Sequence, residues 1–192
     1  MRNVLLSSCL DAQFVIVSVI GPHANEHVDC IFKRKMDDIT AIGRTFWLIR
    51  SSKVKPPAVR ELCQSGLGYV VFVEPSGVAR PATTETAASR YSTDQQTWQP
   101  LPNGLGPVTG KLGPSAKALI CDAFELCRGE RFDMWAYGEW PDGASPLDTR
   151  IGHSTVCGLK RNMSQHPMKM KSRFRSIAAC ARLQAPFCVW LQ

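Results

Sequence analysis

The run FVIVSVI at residues 14–20 is the part of the chain that most strongly predicts its fold. Five of its seven residues are β-branched and apolar, and Gly21 and Pro22 follow directly. Such residues favour a buried strand, and a Gly-Pro pair is typical of the turn that ends one. We therefore expect the central strand of a sheet at this position.

Two similar apolar runs, TFWLIR at residues 45–50 and GYVVFV at 68–73, each predict a further strand. Between them, Pro56 and Pro57 suit the opening turn of a helix that extends to Gly66. The alternation of strands and helices favours a single α/β or α+β domain with a mixed sheet and at least one crossover.

Residues 23–42 fit either a strand at 28–32 or a helix, and we interpret them as that strand followed by a short helix. Asp37 and Asp38 suit the first turn of that helix because acidic side chains favour a helix N-terminus. Gly43 is expected to end it, since glycine readily adopts the left-handed conformation found there.

Residues 74–114 are rich in Pro, Gly, Thr and Ser and predict a long irregular loop with Trp98 as its main apolar anchor. Residues 115–128 predict a helix, because Ser115 can cap it and apolar residues then recur at helical spacing. Residues 132–140 predict another strand.

The net charge of +7 lies at the end of the chain. Residues 1–148 hold 15 Lys and Arg against 16 Asp and Glu, whereas residues 149–192 hold eight Lys and Arg and no acid. We therefore expect a compact domain at 1–148 and a basic C-terminal segment at 149–192 that attracts polyanions such as nucleic acid. A strand with its cations on one face and a helix from Ser172 both fit the pattern within this segment.

Cysteine spacing and hydropathy indicate a soluble cytoplasmic protein. Eight widely spaced cysteines without a CxxC pair favour free buried thiols over a disulfide framework or a zinc ribbon. No apolar run approaches the roughly 20 residues of a transmembrane helix. The cysteines are Cys9, Cys30, Cys63, Cys121, Cys127, Cys157, Cys180 and Cys188.

The stretch HANEH at residues 23–27 has the H-x-x-E-H order of inverted zinc peptidases. On a helix, His23 and His27 could hold zinc while Glu26 activates water. The preceding Gly-Pro pair places the motif at a strand end, so a polar loop is the alternative and zinc is not the expected cofactor.

The stretch GPVTGK at residues 106–111 is similar to a phosphate-binding loop. It is one residue shorter than GxxxxGK, and Leu112 stands where such loops have a Ser or Thr for Mg²⁺. A turn with conformational glycines is the alternative.

A second group of cations, at residues 33–35, could follow a phosphate backbone together with those of the C-terminal segment, without base specificity. Phe46, Trp47 or Tyr91 could stack on bases if exposed, although core positions are the alternative for them. The predicted nucleic-acid-binding residues are Lys33, Arg34, Lys35, Lys160, Arg161, Lys169, Lys171, Arg173 and Arg175.

Glu74, Arg80 and Glu85 come just after the predicted strand at 68–73, where α/β proteins commonly place their sites. Two carboxylates could bind a metal ion and an arginine could bind a phosphate, and a nuclease or phosphohydrolase needs at least these groups. A loop with three solvated charges is the plainer interpretation.

Over about residues 14–140 the chain resembles the small plasmid-encoded fertility-inhibition (oncogenic-suppression) proteins. The resemblance rests on chain size, on the run from Phe14 to His27, and on Val108-Thr109-Gly110-Lys111 leading to the helix predicted at 115–128.

This resemblance implies a ParB/sulfiredoxin-like fold and interference with the transfer of DNA or effectors through a type IV secretion channel. It makes DNase and ATPase activity, with Mg²⁺ and ATP as cofactors, candidate activities. The G-x-x-R box of the superfamily is matched by Gly77-Val78-Ala79-Arg80, whereas the sulfiredoxin Gly-Cys-His-Arg sequence is absent.

Three functions remain open from the sequence. The first is a plasmid-encoded inhibitor of conjugative or type IV secretion transfer that acts on DNA, a transferred nucleoprotein or the coupling ATPase of the secretion system. The second is a nonenzymatic, sequence-independent nucleic-acid-binding module. The third is a zinc-dependent hydrolase that uses the motif at residues 23–27.

Overall fold

The structure is a computed structural model that describes residues 4–20, 26–64, 68–75, 86–139, 155–159 and 173–192. Within these ranges the chain forms three α-helices, one mixed sheet of ten strands and a separate two-stranded sheet at residues 86–87 and 109–110, which confirms the predicted fold class. The helices are α1 (Val4–Asp11), α2 (Val28–Ile42) and α3 (Pro56–Gln64). The strands are β1 (Phe14–Val19), β2 (Thr45–Ile49), β3 (Tyr69–Val73), β4 (Thr86–Ala87), β5 (Arg90–Ser92), β6 (Gln99–Pro100), β7 (Thr109–Gly110), β8 (Lys117–Leu126), β9 (Arg131–Asp133), β10 (Tyr137–Glu139), β11 (Thr155–Leu159) and β12 (Phe174–Leu191).

Seven strands lie side by side in the main part of the sheet, in the order β10, β11, β1, β3, β12, β8 and β2. β1 and β3 are parallel, and every other pairing among the described strands is antiparallel. The short strands β9 and β5 pair with the two ends of β12. β1 is therefore an internal strand but not the central strand that its sequence predicts. The strand with the most partners is β12, which pairs with β3, β5, β8 and β9.

The 18 residues of β12 pair with β3 along one side and with β8 along the other, and most of their side chains are buried. The described parts of the basic C-terminal segment, residues 155–159 and 173–192, are therefore strands of this same sheet. Within this segment, the strand interpretation is confirmed and the helix from Ser172 is wrong. Backbone groups of β12 find partners on both sides only as a strand, which decides between the two patterns.

Helices α2 and α3 cover one face of the sheet, and α1 together with residues 101–112 covers the other. Phe32 of α2 and Val59 of α3 pack against Phe72 and Leu119 on the first face. On the opposite face, α1 packs over β1, β3 and the start of β12, and residues 101–112 cover the end formed by β2 and β8. Among the described residues, no helix has both the length and the apolar character needed to cross a bilayer.

The helix predicted at residues 115–128 is wrong, because Lys117–Leu126 forms β8. The first five residues of β8 are all buried, since the sheet is covered on both faces there. A strand buried on both faces has no alternating pattern, so its apolar residues can also match helical spacing. Pairing with β2 and β12 decides the conformation.

The strand predicted at residues 28–32 is also wrong, because α2 is one continuous helix. Its buried stripe is Ile31, Phe32, Lys35 and Asp38. Two ionisable residues in that stripe interrupt the apolar pattern, which hides the helical periodicity. The end of the helix at Gly43 is confirmed, with a φ of 73°.

Other local predictions are confirmed at β2, α3 and β3. The strand predicted at 132–140 is two short strands, β9 and β10, separated by a 3-10 turn at Met134–Ala136. Residues 86–114 are mostly irregular, as predicted, but Trp98 is not their main anchor. Ala88 and Val108 are buried there, with Leu101, Leu105 and Leu112 packed around them.

Candidate functional site

The carboxyl ends of β1 and β3 form one edge of the sheet, where Val19 pairs with Val73. Glu74 directly follows β3, and the motif at residues 23–27 follows β1. α/β sheets commonly bind ligands at such an edge. Glu74 is described here, and Glu26 and His27 are described just before α2, whereas His23, Arg80 and Glu85 lie outside the described residues.

Glu74 is fixed to β12 through its main chain. Its N–H donates to the carbonyl of Ser176 at 3.0 Å, and its carbonyl accepts from the guanidinium of Arg175. Arg175 is only 7% exposed, and burial lowers the pKa of its guanidinium. Arg175 therefore fastens the end of β3 to the start of β12.

Arg128 links two carboxylates at this edge. It forms an ion pair with Asp29 in the first turn of α2, and the hydrogen bond from Arg128 lowers the pKa of Asp29. Asp29 in turn raises the pKa of Arg128, and the charge of Glu74 adds to that effect. A divalent cation would compete with Arg128 for Asp29, and a phosphate would compete with both acids for Arg128.

The two described residues of the H-x-x-E-H motif do not lie within a helix, since α2 begins at Val28. His27 is the N-cap of α2, where its Nδ1 accepts from the N–H of Asp29 at 3.3 Å. Both carboxylate oxygens of Glu26 accept from Arg34, at 3.3 and 2.7 Å. In a zinc peptidase this carboxylate would activate water, whereas here both of its oxygens are bound by Arg34.

The basic cluster of α2 is divided among three partners. Lys33 is exposed and pairs with Asp37 at 2.8 Å, while Arg34 also donates to the carbonyl of Pro107 at 2.8 Å. The ammonium of Lys35 is buried and donates to a backbone carbonyl of β2 at 2.7 Å. Burial lowers the pKa of Lys35 to about 8. The three consecutive cations therefore do not form one surface.

At the start of β12, Arg173 is bound by Asp133 through a fork of two hydrogen bonds, one of 2.7 Å from its Nε. Arg173 and Arg175 thus hold the sheet together at this end. The other predicted nucleic-acid-binding residues, Lys160, Arg161, Lys169 and Lys171, lie outside the described residues.

The loop at residues 106–111 packs against α2 and does not form a phosphate-binding loop. The N–H of Gly106 donates to the carboxylate of Asp38 at 2.7 Å, and Gly110 belongs to β7. A backbone N–H held by an acid does not point into a phosphate cradle. Gly106 and Gly110 are not in the left-handed conformation, so the alternative of conformational glycines is also wrong. An added Cβ would lie 2.9 Å from the carboxylate of Asp38 at residue 106 and 3.0 Å from the side chain of Leu48 at residue 110, so these glycines allow close packing.

The three aromatic residues considered for base stacking are engaged in the interior. Phe46 is fully buried and contacts Tyr91 with ring centroids 5.5 Å apart. Trp47 packs against Phe72 with centroids 4.4 Å apart and is only partly exposed. Their main role is core packing.

A basic surface that the sequence reasoning missed surrounds the connection between β2 and α3. Residues 39–60 hold five Lys and Arg and no acid. Arg50, Lys53 and Lys55 are all exposed in this connection. A charge count in short windows would have found the stretch, whereas a count over residues 1–148 balances it against distant acids.

The ends of β2 and β12 lie close together, and Arg60 of α3 lies near Trp190 at this position. Ile49, Lys117 and Trp190 are aligned across β2, β8 and β12, so the ends of β2 and β12 lie roughly 10 Å apart at about 4.8 Å per strand. The guanidinium carbon of Arg60 lies 5.8 Å from the ring centroid of Trp190. We call Arg50, Lys53, Lys55, Arg60 and Trp190 the β2–α3 basic surface.

Lys117 fixes the backbone of the connection between β2 and α3. Its ammonium donates to the carbonyl of Ser51 at 2.7 Å, and burial lowers its pKa. The exposed carboxylate of Glu61 follows Arg60 in the chain and is the first acid after Asp38. The connection is therefore held in position while its cations face solvent.

The prediction of free thiols is confirmed for the seven cysteines whose side chains are described. Six of them are buried, and Cys30 is exposed.

Comparisons of the chain with protein-family models, curated proteins and solved structures found no match.

Proposed function

We propose that this protein binds nucleic acid without base specificity through the β2–α3 basic surface. In line with the resemblance to fertility-inhibition proteins, this binding would serve to inhibit conjugative or type IV secretion transfer. The partner would be the transferred DNA or nucleoprotein, or its complex with the coupling ATPase.

The observation that carries the proposal is the acid-free stretch at residues 39–60, which exposes three cations in one connection. Cations on a rigid support attract phosphates, and counterion release makes such binding salt-dependent. Trp190 adds a second contact type, because aromatic rings stack on bases. Arg60 holds a position beside this ring, since its guanidinium donates to the carbonyl of Cys188 at 3.3 Å and its carbon lies 5.8 Å from the ring centroid. None of these groups reads base edges, so binding is sequence-independent.

The test is fluorescence anisotropy with labelled single-stranded and double-stranded DNA at several salt concentrations. Each phosphate contact contributes about 0.7 to 0.9 to the slope of log affinity against log salt. The triple variant Arg50→Ala, Lys53→Ala, Lys55→Ala should therefore weaken binding and reduce that slope by about 2 to 3.

The matched control is the triple variant Lys33→Ala, Arg128→Ala, Arg131→Ala, which also removes three exposed cations but away from the β2–α3 connection. It should leave most of the affinity and slope. Equal losses in the two triple variants would mean that net charge, and not this surface, controls binding, and would overturn the proposal.

A second candidate is hydrolysis of phosphodiesters at the edge formed by β1 and β3, with Glu74, Arg80 and Glu85 as catalytic residues and Mg²⁺ and ATP as cofactors. It is favoured by one observation: Glu74 directly follows β3, beside the end of the parallel strand β1. Plasmid DNA incubated with protein, Mg²⁺ and ATP should be degraded, and the Glu74→Gln, Arg80→Ala variant should be inactive. Degradation that survives in this variant would contradict the assignment.

A further inference from the structure

Two cysteines and a glutamate meet beneath α1. Cys180 of β12 lies directly opposite Glu125 of β8. Cys127 follows Glu125 by two residues, which in an extended chain places both side chains on the same face. Cys9 belongs to α1, which covers this face, and packs in the same core cluster.

The distances within this group are compatible with one bound metal ion. The sulfurs of Cys127 and Cys180 are 3.3 Å apart, and these two atoms and a carboxylate oxygen of Glu125 all lie within 4.8 Å of one another. Two sulfurs bound to one tetrahedral zinc ion at about 2.3 Å are roughly 3.8 Å apart. A disulfide needs about 2.05 Å. Ligation therefore requires less movement than oxidation.

We propose that Glu125, Cys127 and Cys180 bind one thiophilic divalent metal ion of the Zn²⁺ class. Thiolates and a carboxylate are ligands that zinc accepts. The ion would join β8 and β12, whose ligands are far apart in the sequence.

The surroundings of Glu125 agree with this role. The N–H of Leu6 donates to one carboxylate oxygen at 3.2 Å, which orients the side chain toward α1. A carboxylate has two oxygens and about four acceptor positions, so this bond leaves room for a metal ion. Hydrogen bonds of this kind commonly orient metal ligands.

Binding exchanges protons for the metal. Each thiol that becomes a ligand loses its S–H proton to solvent, and the sulfur lone pair forms the bond to the ion without any oxidation. Cys9, Cys127 and Cys180 are at most 1% exposed. Because each thiol must lose its proton to bind the ion, affinity should increase with pH.

The test uses the full-length protein, purified with reductant and chelator and then titrated anaerobically with Co²⁺. One equivalent should bind and produce a near-ultraviolet band from sulfur-to-cobalt charge transfer together with visible bands of tetrahedral cobalt. Zn²⁺ should remove both bands. Absence of the charge-transfer band would overturn the proposal.

Variants locate the site. Cys127→Ser and Cys180→Ser should each weaken Co²⁺ binding by more than about 100-fold, because loss of a ligand should exceed the 10-fold to 100-fold effect of an outer partner. The controls are Cys188→Ser, which removes a buried thiol from the other core, and Cys30→Ser, which removes the exposed one. Equal effects in controls and site variants would contradict the assignment.

Glu125→Gln is the second test, in case the serine variants do not fold. It should keep the charge-transfer band while weakening binding and changing the visible bands. Air-purified protein that is 2 Da lighter through a Cys127–Cys180 disulfide, and that binds no Co²⁺ after reduction, would identify a redox pair and overturn the metal site. DNA binding by the β2–α3 basic surface is independent of all these outcomes.

Discussion

The carboxylate of Asp38 accepts a hydrogen bond of 2.7 Å from the N–H of Gly106, 68 residues further along the chain. Its other oxygen accepts from the hydroxyl of Thr45 at 2.6 Å and lies 3.7 Å from the ammonium of Lys35. Asp38 is 4% exposed. One buried acid thus connects α2, β2 and the loop at residues 101–112 that covers β2 and β8.

Asp38→Ala should destabilise the protein by about 3 to 5 kcal/mol, because it leaves the Lys35 ammonium buried without its counter-charge and breaks two hydrogen bonds. Urea unfolding followed by circular dichroism measures the change. Asp37→Ala is the control, since Asp37 forms an exposed pair with Lys33 and should cost less than about 1 kcal/mol. Similar losses in the two variants would contradict the connecting role of Asp38.

Lys35 should make stability depend on pH between about 8 and 10.5. Burial lowers its pKa in the folded state to about 8 from an ordinary value of 10.5, so in this range the unfolded chain binds more protons than the folded one. The free energy of unfolding that Lys35 contributes therefore rises with pH, by up to about 3 kcal/mol.

The measurement compares wild type with Lys35→Met at pH 7.5, 9 and 10.5, because titration of the buried thiols cancels in the difference. Wild type should gain stability relative to the variant as pH rises. A difference that stays constant over this range would show that Lys35 titrates normally.

A chain that ends after Asp148 should not fold cooperatively, because it lacks β12 and therefore the partner of β3, β5, β8 and β9. Thermal unfolding followed by circular dichroism should show no sigmoidal transition. A cooperative transition at a temperature close to that of the full chain would contradict these pairings of β12.

Gly43→Ala should destabilise the protein by about 1 kcal/mol, because residue 43 has a φ of 73° and closes α2 by donating its N–H to the carbonyl of Ile39. No atom lies within 4 Å of an added Cβ, so the cost is conformational. Gly113→Ala is the matched control, since that site is equally open without a left-handed φ, and its effect should stay within about 0.5 kcal/mol. A loss as large at Gly113 would mean that the added methyl group itself is responsible.

Local sequence was enough to predict β1, β2, β3, α3 and the end of α2 at Gly43. Each depends on a short apolar run or on Gly and Pro at its boundary, and these act on the backbone within a few residues. The free thiols also followed from the absence of paired cysteine spacing.

Only the tertiary structure decided that β8 is a strand, that β12 is the strand with the most partners, and which cations have partners. Arg173 meets Asp133 across 40 residues. The thiols of Cys127 and Cys180 meet across 53 residues. Composition and spacing determined which elements this chain can form, whereas strand pairing determined which charges and thiols become neighbours, because contacts between distant residues exist only after the sheet has assembled.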